Sequence, residues 1–230
     1  MNPIYKPKGA AKEYGEYALN IYTGCPHRCF YCFAPRVLHK SKEDFHSCVE
    51  QRKNIVEATR RQLERENITG KLIHLCFTCD PYPKGYDSST TREIIKLLKD
   101  YGNHVQILTK GSGRRDMDLL NNQDWYGVTI DGSEKNPKLL IRDLILAKNS
   151  GIKTWVSFEP VLNEVEVITL IDKYHCYFDK VKIGKLNYHA SDINWKAFGN
   201  LAERVCRENH VDYYIKDSLR AEMEETNESV

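Results

Sequence analysis

The chain has 230 residues, 41% of them hydrophobic and 29% charged, which suits one domain with a packed core or at most two small ones. The 34 Lys and Arg residues against 32 Asp and Glu leave a net charge of +2, too small for a protein that holds polyanions by charge alone. No apolar run nears the roughly 20 residues a membrane-spanning helix needs, and eight cysteines behind an N-terminus without an apolar signal core read as reduced thiols in a cytoplasmic protein.

In chain order, a lead-in of about residues 1–16 precedes a first β-rich run at 17–22. A long loop from Thr23 to about His46 follows, then an amphipathic helix over 47–67. Val-, Ile- and Leu-rich runs at 72–78, 104–109, 126–130, 154–158 and 180–183 read as strands. Helical runs at 89–101, 116–121, 137–150, 165–174 and 194–209 alternate with them, Asn136 standing as the cap before Pro137. An acidic, polar tail at about 221–230 is expected to fray. No linker interrupts residues 1–230, so one domain is expected. Six βα units imply parallel strands joined by crossover helices. Periodicity alone leaves an open doubly wound sheet and an incomplete barrel both open. In either, the active groups belong at the C-terminal strand ends and the loops behind them.

The longest such loop carries the densest cysteine cluster, Cys25-Pro26-His27-Arg28-Cys29-Phe30-Tyr31-Cys32. Three thiols in eight residues, with Gly24 and Pro26 breaking regular structure, can wrap a compact object, as iron–sulfur loops do. Three local ligands leave one iron of a four-iron cluster open, and an open position distinguishes a reactive metal site from a sealed one. The aromatic side chains of Phe30, Tyr31 and Phe33 are expected to shield the cluster from water. A second reading pairs Cys29 and Cys32 with Cys76 and Cys79 as four zinc ligands, which leaves Cys25 idle. It also asks two residues three apart on one strand to point the same way. His27 is expected to be an exposed loop residue, and Cys48, Cys176 and Cys206 small buried ones.

Cys25, Cys29 and Cys32, with Tyr31 before the last of them, resemble the cluster motif of the radical S-adenosylmethionine (radical SAM) enzymes. The lead-in Asn20-Ile21-Tyr22-Thr23-Gly24, the following Phe33-Ala34-Pro35-Arg36, and the stretches 78–83, 108–110 and 115–116 are similar to the spore photoproduct lyase-like group. The resemblance covers roughly residues 17–185. The fold expected is therefore α/β, an incomplete (βα)6 TIM-like barrel of parallel strands with outer helices. The resemblance implies a [4Fe-4S] cluster on the three cysteines and S-adenosylmethionine on the open iron. One electron then cleaves the sulfonium, and the 5′-deoxyadenosyl radical abstracts hydrogen from a substrate. A nucleic-acid lesion is the first substrate reading; RNA, a peptide or a small metabolite are the alternatives, as is a non-catalytic zinc or iron–sulfur interaction module. An electron donor such as ferredoxin or flavodoxin is implied, and no membrane.

The resemblance also distributes roles among the strand ends. Thr78 and Asp80 stand where relatives receive the amino group of SAM, although the Gly-Gly-Glu of many relatives is absent. Asp80 equally reads as the start of a turn with Pro81. Lys110 resembles the partner of the SAM carboxylate. Thr129 is read as reaching the ribose, Glu159 as a carboxylate at a strand end, and Gly184 as a close approach for the adenine. Cys79 resembles the hydrogen donor of the lyase, with Cys76 as the alternative and strand alternation allowing at most one of the two. Arg114, Arg115, Lys182 and Lys185 are expected to give the site a positive rim for an anionic substrate.

Overall fold

A computed structural model of the chain describes residues 2–133 and 137–224. The principal sheet begins with β1 (Ile4–Tyr5), antiparallel to β2 (Tyr17–Leu19). A small separate ladder, β3 (Tyr22–Thr23) with β4 (Glu50–Gln51), ties the long loop to the sheet. From β2 the sheet runs on through β5 (Leu72–Leu75), β6 (His104–Thr109), β7 (Trp125–Thr129), β8 (Lys153–Phe158), β9 (Lys180–Ile183) and β10 (Asp212–Ile215), every neighbour parallel. The helices are α1 (Ala34–Val37), α2 (Lys42–Ser47), α3 (Ile55–Glu66), α4 (Ser89–Asp100), α5 (Lys138–Asn149), α6 (Glu164–Tyr174), α7 (Trp195–Glu208) and α8 (Asp217–Glu224).

Strand neighbours follow chain order without reversal, so right-handed crossovers put the helices on a single face of the sheet. A doubly wound arrangement, whose order reverses at a switch point, is thereby excluded. β1 and β10 are the two edges. Alternation along each strand then gives the sheet two unlike faces. Ile73, Leu75, Val105, Ile107, Val128, Val156, Val181 and Ile183 point to the helices and bury fully against Leu63, Ile94, Leu98, Leu144, Ile171 and Ala202 in one continuous core. The intervening residues, among them His74, Gln106, Gly127, Trp155, Ser157 and Lys182, make a polar and aromatic face.

The lead-in covers that face instead of trailing from it. Its 3₁₀ turn, Gly9–Glu13, delivers Tyr14, whose ring packs on His74, Phe77 and Trp155. Gln106 donates to the Tyr14 carbonyl at 2.9 Å, and Glu13 pairs with Lys216 at 2.6 Å.

Several expected elements differ. The sheet has seven parallel strands instead of six; Val211-Asp212-Tyr213-Tyr214-Ile215 supplies the extra one, and its β-rich composition was a readable signal. The expected helix 47–67 starts only at Ile55, after Asn54 turns left-handed with φ 53°. In place of the helix expected over 116–121 stands a 3₁₀ turn, Arg114–Leu119. The strand expected over 72–78 ends at Leu75. Glu222 to Glu224 are helical, while residues 225–230 of the expected tail and the Asn136 cap lie outside the described residues.

Candidate functional site at the C-terminal strand ends

The cysteine loop folds back on itself through its main chain. Cys25 N donates to Phe45 O at 3.2 Å, the His46 ring lies 2.7 Å from Cys25 O, and Cys32 N donates to Cys29 O at 3.1 Å. Lys42 Nζ closes the loop on Phe30 O at 2.9 Å. Gly24 makes this possible: its φ of +91° is left-handed, and a Cβ there would sit 2.0 Å from Cys48 O. Cys25, Cys29 and Cys32 are half-buried free thiols. Burial raises all three above the usual thiol pKa. Beyond burial, Asp80 and the other two thiols raise Cys25 further, whereas Lys110 and Tyr31 pull Cys29 back. The thiols thus sense one another, although among the described residues no three His, Cys, Asp or Glu side chains converge on a single-ion site. Phe30 and Phe33 differ from expectation: both are about half exposed and turn outward, so Tyr31 alone of the three rings faces the strand ends.

Beneath the loop, three strand ends meet it. Asp80, in the turn after β5, accepts Thr109 Oγ1 at 2.5 Å and Tyr82 N at 2.8 Å on Oδ1. Its Oδ2 accepts Lys110 N at 2.8 Å and lies 3.0 Å from His27 Nε2. These contacts occupy the roughly four acceptor positions of a carboxylate. Asp80 is therefore built into the turn and tethers the cysteine loop, the turn reading instead of the amino-group reading. Burial pushes its pKa up, but the contacts from His27, Thr109 and Lys110 outweigh it and hold the carboxyl below its ordinary value. His27 is correspondingly not exposed, its side chain being 12% accessible.

Lys110, at the end of β6, reaches Asp131 Oδ2 at 2.5 Å. Tyr31 donates to the same oxygen, and Ser133 caps Oδ1 at 2.5 Å. Burial opposes the charge on Asp131, yet Lys110, Ser133 and Tyr31 bring its pKa down to about 2. Lys110 also lies 5.8 Å from the Tyr31 ring centroid. Asp131 was missed by sequence reasoning. Its signal was available: an acidic residue one position beyond Thr129-Ile130, at a strand end, before Gly132.

The remaining expected residues divide. Thr129 closes β7 on the polar face. Thr78 is buried and lies after the strand, its N–H donating to Asn20 Oδ1 at 2.9 Å. Glu159 is held by Lys216 at 3.1 Å and by the Tyr14 hydroxyl. At Gly184 the close approach is made by the protein's own side chains: a Cβ there would lie 3.1 Å from those of Glu159 and Lys216. The positive rim does not form as expected. Lys182 is buried on the polar face and Lys185 pairs with Glu222. Arg115 donates to Ser88 O, leaving exposed Arg114 at this end.

Cys76 and Cys79 do not oppose each other, since the strand stops before them and alternation lapses. Burial raises Cys76. It also pushes Cys79 up, but a hydrogen bond from Cys76, main-chain contacts at Tyr22 and Ile21, and nearby Arg52 more than offset this and lower its pKa. The pair is occupied with itself and with β3, Tyr22 N lying 3.4 Å from Cys79 Sγ. The two thiols thus lie side by side, and the strand alternation expected to separate them does not apply. Cys48 and Cys176 are exposed, contrary to expectation, while Cys206 is buried in α7.

No family model matches the chain. It is 33% identical over 121 residues to uncharacterized proteins of Mycobacterium tuberculosis strain H37Rv and of Mycobacterium bovis, a match covering 50% of this chain and 35% of theirs. The chain therefore spans about a third of the length of these relatives. It is 29% identical over 178 residues to an uncharacterized protein of Methanocaldococcus jannaschii, covering 70% of this chain and 66% of that one.

Proposed function

We propose that the chain is a radical SAM enzyme of the spore photoproduct lyase-like kind, with Cys25, Cys29 and Cys32 holding a [4Fe-4S] cluster and S-adenosylmethionine binding beside it. The observation that carries this reading is the convergence of a three-thiol loop on the C-terminal ends of β5, β6 and β7, where Tyr31, Lys110 and Asp131 form one bonded group. The donor set fits: the thiols are free, half-buried and mutually sensing, and their raised pKa values mean that metal binding would displace protons. The single winding of the sheet, with helices on one face, supports the curvature of an incomplete barrel.

When bound, the cluster and S-adenosylmethionine supply one-electron cleavage of the sulfonium and a 5′-deoxyadenosyl radical. The protein's own share is orientation. Lys110 offers an ammonium to the cofactor's carboxylate while Asp131 keeps it charged and aimed. Tyr31 links that ammonium to the cysteine loop, so loop and strand end move as one. Thr129, Glu159 and Gly184 line the approach across the neighbouring strand ends. Asp80 fixes the loop through His27 instead of meeting the ligand. A nucleic-acid substrate is supported by exposed rings beside the loop, Phe30, Phe33 and Tyr188, on which bases can stack. An electron donor such as a ferredoxin or flavodoxin belongs with this reading.

The test is formation of 5′-deoxyadenosine from S-adenosylmethionine by anaerobically reconstituted protein with a chemical reductant. Lys110→Ala should leave the iron content intact and weaken S-adenosylmethionine binding by about ten- to hundredfold, the loss of one charge-assisted hydrogen bond. Absence of 5′-deoxyadenosine from iron-loaded protein would overturn the reading.

A further inference from the structure

The polar face carries a second feature, away from the cysteine loop. Toward the N-terminal ends of β5 to β9 it opens into a cavity of about 630 Å³, within the range of small-molecule sites. Four lysines, Lys6, Lys12, Lys180 and Lys182, line it against two glutamates. Its aromatic side chains are Tyr14, Trp125, Trp155 and Tyr214.

Lys182 is the unusual member. It is 6% exposed, and its Nζ donates to the main-chain oxygen of Glu13 at 2.5 Å. The carboxylates of Glu13 and Glu159, which act on it electrostatically, are engaged by Lys216 at 2.6 and 3.1 Å. What surrounds the Lys182 ammonium instead is rings: Tyr14 at 4.2 Å, Trp155 at 5.5 Å and Tyr214 at 5.6 Å from their centroids. An ammonium has three donors, and ring faces offset only part of the cost of burying its charge. A buried cation facing a cavity without its own carboxylate calls for an anion. Lys180 is already paired with Asp212 at 2.9 Å, but Lys12 at the mouth favours the same sign of ligand, and half-exposed Trp125 and Tyr214 offer flat apolar surfaces beside it.

We propose that this cavity is a second binding site, for a planar aromatic ring carrying an anionic group, the chemistry of a nucleoside monophosphate. The anion sits on Lys182 and the ring stacks on the Trp125 and Tyr214 side. The site is independent of the cysteine loop, so it stands whether or not the chain holds a cluster.

The test is calorimetric titration of the whole protein with AMP, adenosine and inorganic phosphate. AMP should bind about tenfold or more tighter than adenosine or phosphate, because only AMP engages both halves of the site. Lys182→Met should weaken AMP by about ten- to hundredfold, the loss of one charge-assisted contact. Trp125→Ala, at a half-exposed position that the fold tolerates, should weaken it by about fivefold. Lys110→Ala and Cys29→Ala, at the other end of the sheet, should leave AMP binding unchanged. The proposal is overturned if AMP binds no tighter than its parts, if neither Lys182→Met nor Trp125→Ala weakens it, or if the Lys110 and Cys29 variants abolish it.

Discussion

Two regions of one sheet face treat buried charge in opposite ways. Lys110 is paired with Asp131, and Lys216 with both Glu13 and Glu159. Lys182, level with Ser157 on the neighbouring strand, is as deeply buried but rests on a carbonyl and three rings. Its pKa moves accordingly. Burial, then repulsion from Lys216 and Lys180, brings it down to about 8. The Lys110–Asp131 pair is organised in advance, as the proposed binding site there requires. Lys182 instead carries the demand for an anion on which the proposed second site rests.

The contrast is broken most forcefully at Lys216. Lys216→Met strands two carboxylates, and loss of one partner of a buried pair costs about 3–5 kcal/mol. Urea unfolding at neutral pH should register that loss. Lys182→Met, one strand away, should be neutral or stabilising in the same measurement. Equal losses for the two variants would erase the distinction.

Stability against pH sharpens it further. Lys182 has a folded pKa of about 8, below its ordinary 10.5, so between these values the unfolded chain holds more protons and stability rises with pH. The penalty is fully present below about pH 8 and is relieved across that window by up to about 3 kcal/mol. Lys182→Met should flatten the rise, and an unchanged slope would show that Lys182 is not the group titrating. Asp131 runs the other way. Its folded pKa of about 2 lies below the ordinary 3.8, so its contribution is present above pH 4 and is lost as pH falls toward 2. Asp131→Asn should cost about 1.5–3 kcal/mol at neutral pH and remove that acid dependence. Smallest is Tyr31→Phe, which deletes one hydroxyl donor to Asp131 and should cost about 1 kcal/mol.

Much of the architecture was legible because most of the parallel strands are short Val-, Ile- or Leu-rich runs followed by a charged amphipathic helix. The strand-end rule then led directly to Lys110, Thr129, Glu159 and Gly184. What escaped depended on tertiary contacts. Nothing local in Lys8 to Tyr14 announces a segment that will cover a sheet face, yet Tyr14 packs on His74, Phe77 and Trp155. Lys182 alternates correctly along β9, but which face is polar is decided by crossover handedness, so it was read as rim when it is interior. Cys76 and Cys79 were assigned to opposite faces on a strand that stops at Leu75. Asp131 was readable by the same rule that found Lys110 and was simply passed over.

The central claim, that the three loop thiols hold a cluster, is tested most directly by iron and acid-labile sulfide analysis after anaerobic reconstitution. The unaltered protein should take up four irons and four sulfides per chain, the content of one [4Fe-4S] cluster, with sulfur-to-iron charge-transfer absorbance. Cys25→Ala, Cys29→Ala and Cys32→Ala should each lose most of both, while Cys48→Ala, Cys176→Ala and Cys206→Ala keep them. A chain lacking all three loop thiols that still binds iron and sulfide to the same level would contradict the account.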